Sequence, residues 1–336
     1  MLSFFRSNQF FVAIPLALYV IIVHLGALMG TLQPPAPALD HGLLYQSWFG
    51  WVETQPFYSA LTATFLVFIQ AVSVNVWADE YRLMGERNWF PGLFYTLLVS
   101  ALPDFLFVSA PLVAATFLPF SLWRIFKAYQ KPNVAAAIFD GALWIAVASL
   151  FYPPSLWLLV AGFTGLGVVR VFRLHERFIF FTGIFAPLFL VWLWYFWADR
   201  GVEFRDAQWG NLFQIYRFDA VFDAKMLYKT MLVAFLAFFS LLGIGSLSNR
   251  KGIQSQKFAG VLYWFLAVGV LSLLLRPVWR WEQLLLPAAA SGILLSHAFQ
   301  SMRNRFWAEL WHFCILAFVL FIQFADYFIN LSDSLF

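Results

Sequence analysis

The sequence predicts an all-α, polytopic membrane bundle of about 11 transmembrane helices. Three observations carry this. The 336-residue chain is 62% apolar and only 11% charged, where soluble domains average about 25% charged residues. Eleven apolar stretches tile it from Gln9 to Asn330, with the charges almost entirely in the gaps. Forty-two Phe and sixteen Trp supply rings suited to lipid contact and to the headgroup belts.

A helix needs about 20 residues to cross roughly 30 Å of hydrocarbon. The expected spans are 9–30, 57–77, 89–107, 109–127, 134–152, 154–170, 178–198, 225–247, 258–276, 283–300 and 306–330. The first is too long for the apolar core of a cleavable leader, and Pro34, Pro35 and Pro37 follow it in place of a small-residue cleavage site. Pro103-Asp104 shortens the third span and suggests a partly re-entrant segment. Pro153-Pro154 alone joins the fifth and sixth, which makes a tight hairpin.

Orientation follows from Lys and Arg. With the N-terminus inside, fourteen of the 21 fall in inner segments and seven outside. An odd span count then puts the C-terminus outside. Five outer cations lie in 200–229; the others are Arg276 and Arg280. The natural units are 1–198, with seven spans, the outer loop 199–224, and 225–336, with four spans. In the first outer loop, 31–56, Leu43, Leu44, Trp48, Trp51 and Val52 fall at helical spacing, as in an amphipathic helix lying on the membrane surface.

The net charge of +4 is small and no basic patch interleaves with exposed aromatics, which argues against nucleic acid as a partner. Cys314 is the single thiol, so no internal disulfide is possible. The five histidines share no i, i+4 helix face, and no metal site is expected. No cofactor is named by any motif.

Few residues are candidates for chemistry. Asp140 is the acid most clearly inside a span; it reads as a functional intramembrane group or as a helix-end acid satisfied near Lys131 and Asn133. Asp326 has the same reading near the outer end of the last span. Asp40, beside His41, reads as a general base or metal ligand, or as the N-cap of the surface helix. Asp104 also faces outward, and loops 31–56 and 103–109 would form a two-carboxylate site if they met. Arg276 and Arg280 interleave with Trp279 and Trp281, beside Glu282. This group suits a phosphate and a stacked ring, or a plain interfacial anchor. The mixed charges of 199–229 suit a salt-bridged face. Pro187 and the Pro111/Pro119 pair are the helix breaks a transporter would use.

Two resemblances add to this. Phe4-Phe5-Arg6-Ser7-Asn8-Gln9, Gln70-Ala71 with Asn75, Phe90-Pro91-Gly92-Leu93-Phe94-Tyr95, Phe139-Asp140-Gly141 and Ser149-Leu150-Phe151-Tyr152-Pro153-Pro154 occur in an order that resembles a family of Bacteroidota inner-membrane proteins catalogued as a domain of unknown function. Some of its members carry a carotene-oxygenase label, a chemistry whose histidine constellation this chain lacks. The second resemblance is architectural. A first span, a long outer loop with an amphipathic helix, short basic inner turns and the pattern Gly141…Ala148-Ser149-Leu150 are similar to membrane glycosyltransferases of the GT-C class. That resemblance implies a polyprenyl-phosphate sugar donor used on the outer face, with an acidic pair early in the first outer loop. Here Asp40 stands there, followed by His41. On that reading Asp40 is the base or metal ligand and Asp104 its catalytic partner, Arg276 and Arg280 hold the donor phosphate, and His41 and Trp279 contact the substrate. The alternatives are a non-catalytic subunit of an envelope or secretion complex, with a membrane-protein partner, and a transporter or flippase.

Overall fold

The computed structural model describes residues 2–7, 9–36, 41–129, 131–171, 173–210, 212, 224–248, 252–275 and 280–335. Asp40, Arg276 and Trp279 lie outside the described residues, as do 213–223 of the second long outer loop. No strand occurs among the described residues.

The helices, in chain order, are α1 (Leu2–Phe5), α2 (Ala13–Val23), α3 (Leu25–Leu28), α4 (Leu43–Glu53), α5 (Pro56–Glu80), α6 (Phe90–Val99), α7 (Ala110–Lys127), α8 (Ala135–Phe151), α9 (Leu158–Val169), α10 (Leu174–Trp197), α11 (Gly201–Trp209), α12 (Ala224–Ser248), α13 (Ile253–Leu271), α14 (Ala288–Ser301) and α15 (Arg305–Leu335). Each of the eleven expected stretches holds one of them. Among the described residues, five helices are long and apolar enough to cross a bilayer: α5, α10, most of α12, α13 extended to Leu275, and the first twenty residues of α15. The other apolar helices are shorter.

The shortest of them explains the break at Pro103. Helix α6 has ten residues, about 15 Å of rise, so it cannot span alone. Only its Leu98 escapes burial. The chain then runs through a 3-10 turn at Pro103–Phe105 to the start of α7, with Leu102 and Phe105 through Val108 buried. Non-helical backbone at membrane depth is tolerated where protein surrounds it; here the Trp281–Leu285 turn packs on it, and Ala27 and Ala60 cluster with Leu106 and Phe107.

Helix α6 sits at the centre, between α5 and α14; α7 packs on α8, α8 on α10, α9 on α13 and α12 on α14. The tightest crossing is made by Gly243 of α12, where an added Cβ would run into the Leu294 carbonyl of α14. Small residues allow such approaches where the hydrophobic effect does not drive helices together. Helix α15 closes the bundle: the Gln323 side-chain amide donates to the Val23 carbonyl at 2.7 Å, and the Tyr19 hydroxyl meets His312 Nε2 at 3.2 Å.

One polar network ties the core. The Tyr95 hydroxyl donates to Gln70 Oε1 at 2.7 Å, and the Gln70 amide donates to the Leu112 carbonyl at 2.9 Å and Thr116 Oγ1 at 2.7 Å. Each polar end finds a partner, which lets it sit in a low-dielectric interior. Asn75 Oδ1 accepts from the Gly92 amide at 3.2 Å, satisfying a donor in the first turn of α6. The spaced residues Gln70, Asn75, Phe90-Pro91-Gly92 and Tyr95 thus do one job, joining α5, α6 and α7.

At the opposite end of the bundle from α4, Arg170 binds Glu176 through two bonds, at 3.1 and 2.9 Å, and donates to the Ala128 and Lys131 carbonyls at 2.9 and 2.8 Å. This basic turn is a staple between α7, α9 and α10. Helix α10 is peripheral. Only 17% of its apolar core segment is buried, and Phe185, Phe189, Trp192 and Phe196 stack along it at 5.1 to 5.8 Å. An apolar helix face that the rest of the chain leaves uncovered is what a lipid-facing surface looks like.

Candidate functional site

The end of the bundle that carries α4 is where the segment before α4, the Pro103–Phe105 turn and the Arg280–Glu282 segment converge. Gly42 is the N-cap of α4. Its amide donates to the Phe151 carbonyl at 2.8 Å, and an added Cβ would run into the Leu150 carbonyl. Glycine there pins the start of α4 to the end of α8. The apolar residues of α4 then divide between two faces. Tyr45 and Val52 point inward and are buried; Trp48 and Trp51 stand 62% and 63% exposed. Rings with a polar edge favour the headgroup zone, so α4 is a surface helix with an inner polar margin.

Beneath it lies a narrow cavity of about 20 Å³, room for about one water. Tyr45, Glu53, Tyr152, Arg280 and Glu282 line it, with the Pro34–Ala36 and Phe107–Pro111 segments. The Arg280 guanidinium donates to the Ala36 carbonyl at 2.6 Å and stands 3.8 Å from Glu282 Oε2. The first outer loop and the segment following α13 therefore meet. The Tyr45 hydroxyl faces the Val108 carbonyl at 3.4 Å and the Glu53 carboxylate. Ser59 Oγ accepts from the Val108 amide at 3.0 Å.

Three carboxylates face this margin. Glu282, 5% exposed, lies in a 3-10 turn at Trp281–Leu285. Burial pushes its carboxyl up to about 7; the Arg280 charge opposes that shift, while the Asp104 and Glu53 charges add to it. Burial also raises Glu53 above its ordinary value, against the pull of His41, Tyr45 and Arg280. Burial and the nearby Glu53 and Glu282 charges push the Tyr45 hydroxyl far up. Asp104 is ion-paired with Lys229 of α12 at 2.6 Å, both groups about four-fifths buried. A carboxyl raised to about 7 by burial, with other acids close by, is the raw material of acid–base chemistry.

The expected residues are distributed as follows. Asp104, His41 and Arg280 all belong to this rim, His41 with its ring 5.7 Å from that of Tyr45. Asp40, Arg276 and Trp279 fall outside the described residues. Asp140 is elsewhere: it pairs with Arg124 of α7 at 3.2 Å, and beside it Ser121 Oγ donates to the Gly141 carbonyl at 2.7 Å. Glu53, Glu282 and Lys229 are the functional candidates that sequence reasoning did not assign. Glu282 had a signal, being next but one to Arg280. Glu53 had only its place as the sole acid of an otherwise uncharged helix. Among the described residues no group of three or more His, Cys, Asp or Glu side chains converges as a metal ion would require.

No protein-family model matches the chain, and a comparison with curated protein sequences gives no match either. Among solved structures, the chain is similar to ArnT from Cupriavidus metallidurans bound to undecaprenyl phosphate, with a TM-score of 0.51 and 15% identity. The match covers 87% of this chain and 56% of that one, so the chain spans little more than half the length of the protein it resembles. At that identity the likeness concerns the fold. The protein is a membrane-embedded helical bundle of GT-C-like architecture.

Proposed function

We propose that this protein is a lipid-linked glycosyl transferase of GT-C type, working at the rim formed by α4, the Pro103–Phe105 turn and the Arg280–Glu282 segment. The observation that carries the proposal is the grouping of Glu53, Asp104 and buried Glu282 with Arg280 and Lys229 at one end of a GT-C-like bundle. ArnT, of similar fold, binds undecaprenyl phosphate; a polyprenyl-phosphate sugar is the corresponding donor here.

In the proposed reaction a carboxylate, Glu53 or Asp40, takes the proton of an acceptor hydroxyl. The acceptor oxygen bonds to the sugar C1 as the C1–O bond to the phosphate breaks, and the electron pair leaves with the polyprenyl phosphate. Arg280 is placed to hold that phosphate, with Arg276 beside it in sequence. A cation fixed where negative charge develops lowers the barrier more in a water-poor site than in bulk solvent. Glu282, its carboxyl raised to about 7 by burial, exchanges its proton near neutral pH and is a proton donor within the same margin. The cavity as it stands admits no sugar, so this reading requires the Pro34–Ala36 segment to lift; the Arg280–Ala36 hydrogen bond holds it down.

The same reading puts the protein in a bacterial inner membrane, N-terminus in the cytoplasm and C-terminus in the periplasm, with eleven passes divided into a seven-span and a four-span unit. It is tested by supplying reconstituted protein with polyprenyl-phosphate sugars carrying a radiolabelled sugar, together with an envelope lipid extract as acceptor. Transfer of label that is lost in Glu53→Gln and Glu282→Gln supports the proposal. Folded protein that leaves every donor intact, alongside an unchanged envelope glycan profile in a deletion strain, removes it.

A second reading draws on the bare face of α10. Phe178, Phe181, Phe185, Trp194 and Trp197 are each more than half exposed, a surface that a membrane partner would cover. A stoichiometric second protein after purification in mild detergent would favour a subunit role. The paired state of Asp140 gives a transporter less support, since an ion-paired helix-end acid has a sufficient structural role.

A further inference from the structure

At the end of α5 opposite the rim, a cleft of about 680 Å³ opens on the bundle surface between α2, α5 and the segment before α6. Its volume lies in the range of small-molecule sites. Its wall is apolar: Phe68, Ile69, Val72 and Val76. Its polar end holds Asp79 and Arg87. This division, an apolar trough with charge at one end, matches an amphiphile lying along α5.

The charges narrow the occupant. Glu80 Oε2 already accepts the Trp123 indole N–H at 2.7 Å. Asp79 accepts the Asn88 amide and feels the Arg87 charge. Among the described residues no carboxylate lies within ion-pair distance of Arg87, which is exposed. An exposed guanidinium beside an apolar trough suits a phosphodiester. Arg124 and Lys127 lie over the Trp123 ring beside Glu80, so Asp79 is the lining acid left to face the headgroup, and next to a phosphate held by Arg87 it suits a headgroup that carries a cation.

We propose that this cleft binds a glycerophospholipid whose headgroup carries a primary ammonium, with Arg87 on the phosphodiester, Asp79 on the ammonium and one acyl chain along Phe68, Val72 and Val76. The site is independent of the rim chemistry and stands whether or not the protein transfers sugars.

The test is native mass spectrometry of the full chain in detergent with equal amounts of phosphatidylethanolamine and phosphatidylglycerol. Wild type is expected to prefer phosphatidylethanolamine about tenfold, the effect of one charge-assisted hydrogen bond. Asp79→Asn should bring the ratio to near parity, and Arg87→Gln should weaken both lipids about tenfold. Val76→Trp fills the trough from an exposed position, 59% accessible, and should remove the bound lipid without unfolding the chain. Equal binding of both lipids by wild type, or a preference that survives Asp79→Asn, would overturn the proposal. So would full lipid occupancy in Val76→Trp.

Discussion

Glu282→Gln is the most informative single change at the rim. Glu282 is 5% exposed, and its carboxyl is pushed from an ordinary 4.5 up to about 7, chiefly by burial. The folded state thus holds this proton more tightly than the unfolded chain does. The stabilisation linked to that proton is complete below about 4.5 and is lost as pH rises through about 7. An offset of this size corresponds to about 3 kcal/mol between the two protonation states. Glutamine keeps the shape and one acceptor but cannot ionise. Thermal unfolding in detergent from pH 5 to pH 8 should therefore show wild type losing stability and the variant nearly flat. Glutamine should be the more stable form at pH 8, by up to about 3 kcal/mol. Arg280 works against the difference, because at 3.8 Å it stabilises the ionised Glu282. Parallel pH profiles in the two proteins would refute the reasoning, since Glu282 would then be no more protonated when folded than when unfolded.

Two further changes probe the frame that holds the rim. Tyr95→Phe leaves Gln70 Oε1 without its 2.7 Å donor in the core; a loss of about 1–3 kcal/mol is expected, read as a lower thermal midpoint. Gly42→Val drives a side chain into the Leu150 carbonyl and should cost about 1–3 kcal/mol by overpacking. Because it lifts α4 off the end of α8, it should also speed thiol labelling of a Ser59→Cys reporter in the doubly substituted protein; an unchanged rate would count against α4 as the cover.

Composition and periodicity were sufficient for the class of fold, because burying this much apolar surface leaves a chain few alternatives to a membrane bundle. They also placed the helix-bearing stretches, the break at Pro103 and the surface helix in 31–56. Each of these is local: a run of side chains, a proline or a spacing decides it. Partnership between distant segments was not legible. Nothing at Glu53 or Lys229 marks them in the sequence, since each sits among ordinary interfacial residues. Their importance appears only when α4 is laid beside Arg280–Glu282, and α12 beside Asp104. Likewise Asp140, the most conspicuous acid in the sequence, found Arg124 on the neighbouring helix. Local sequence determined which residues form apolar helices; tertiary packing decided which charges share a low-dielectric pocket, because the proton affinity of Glu282 depends on Asp104 and Glu53, 178 and 229 residues away in the chain.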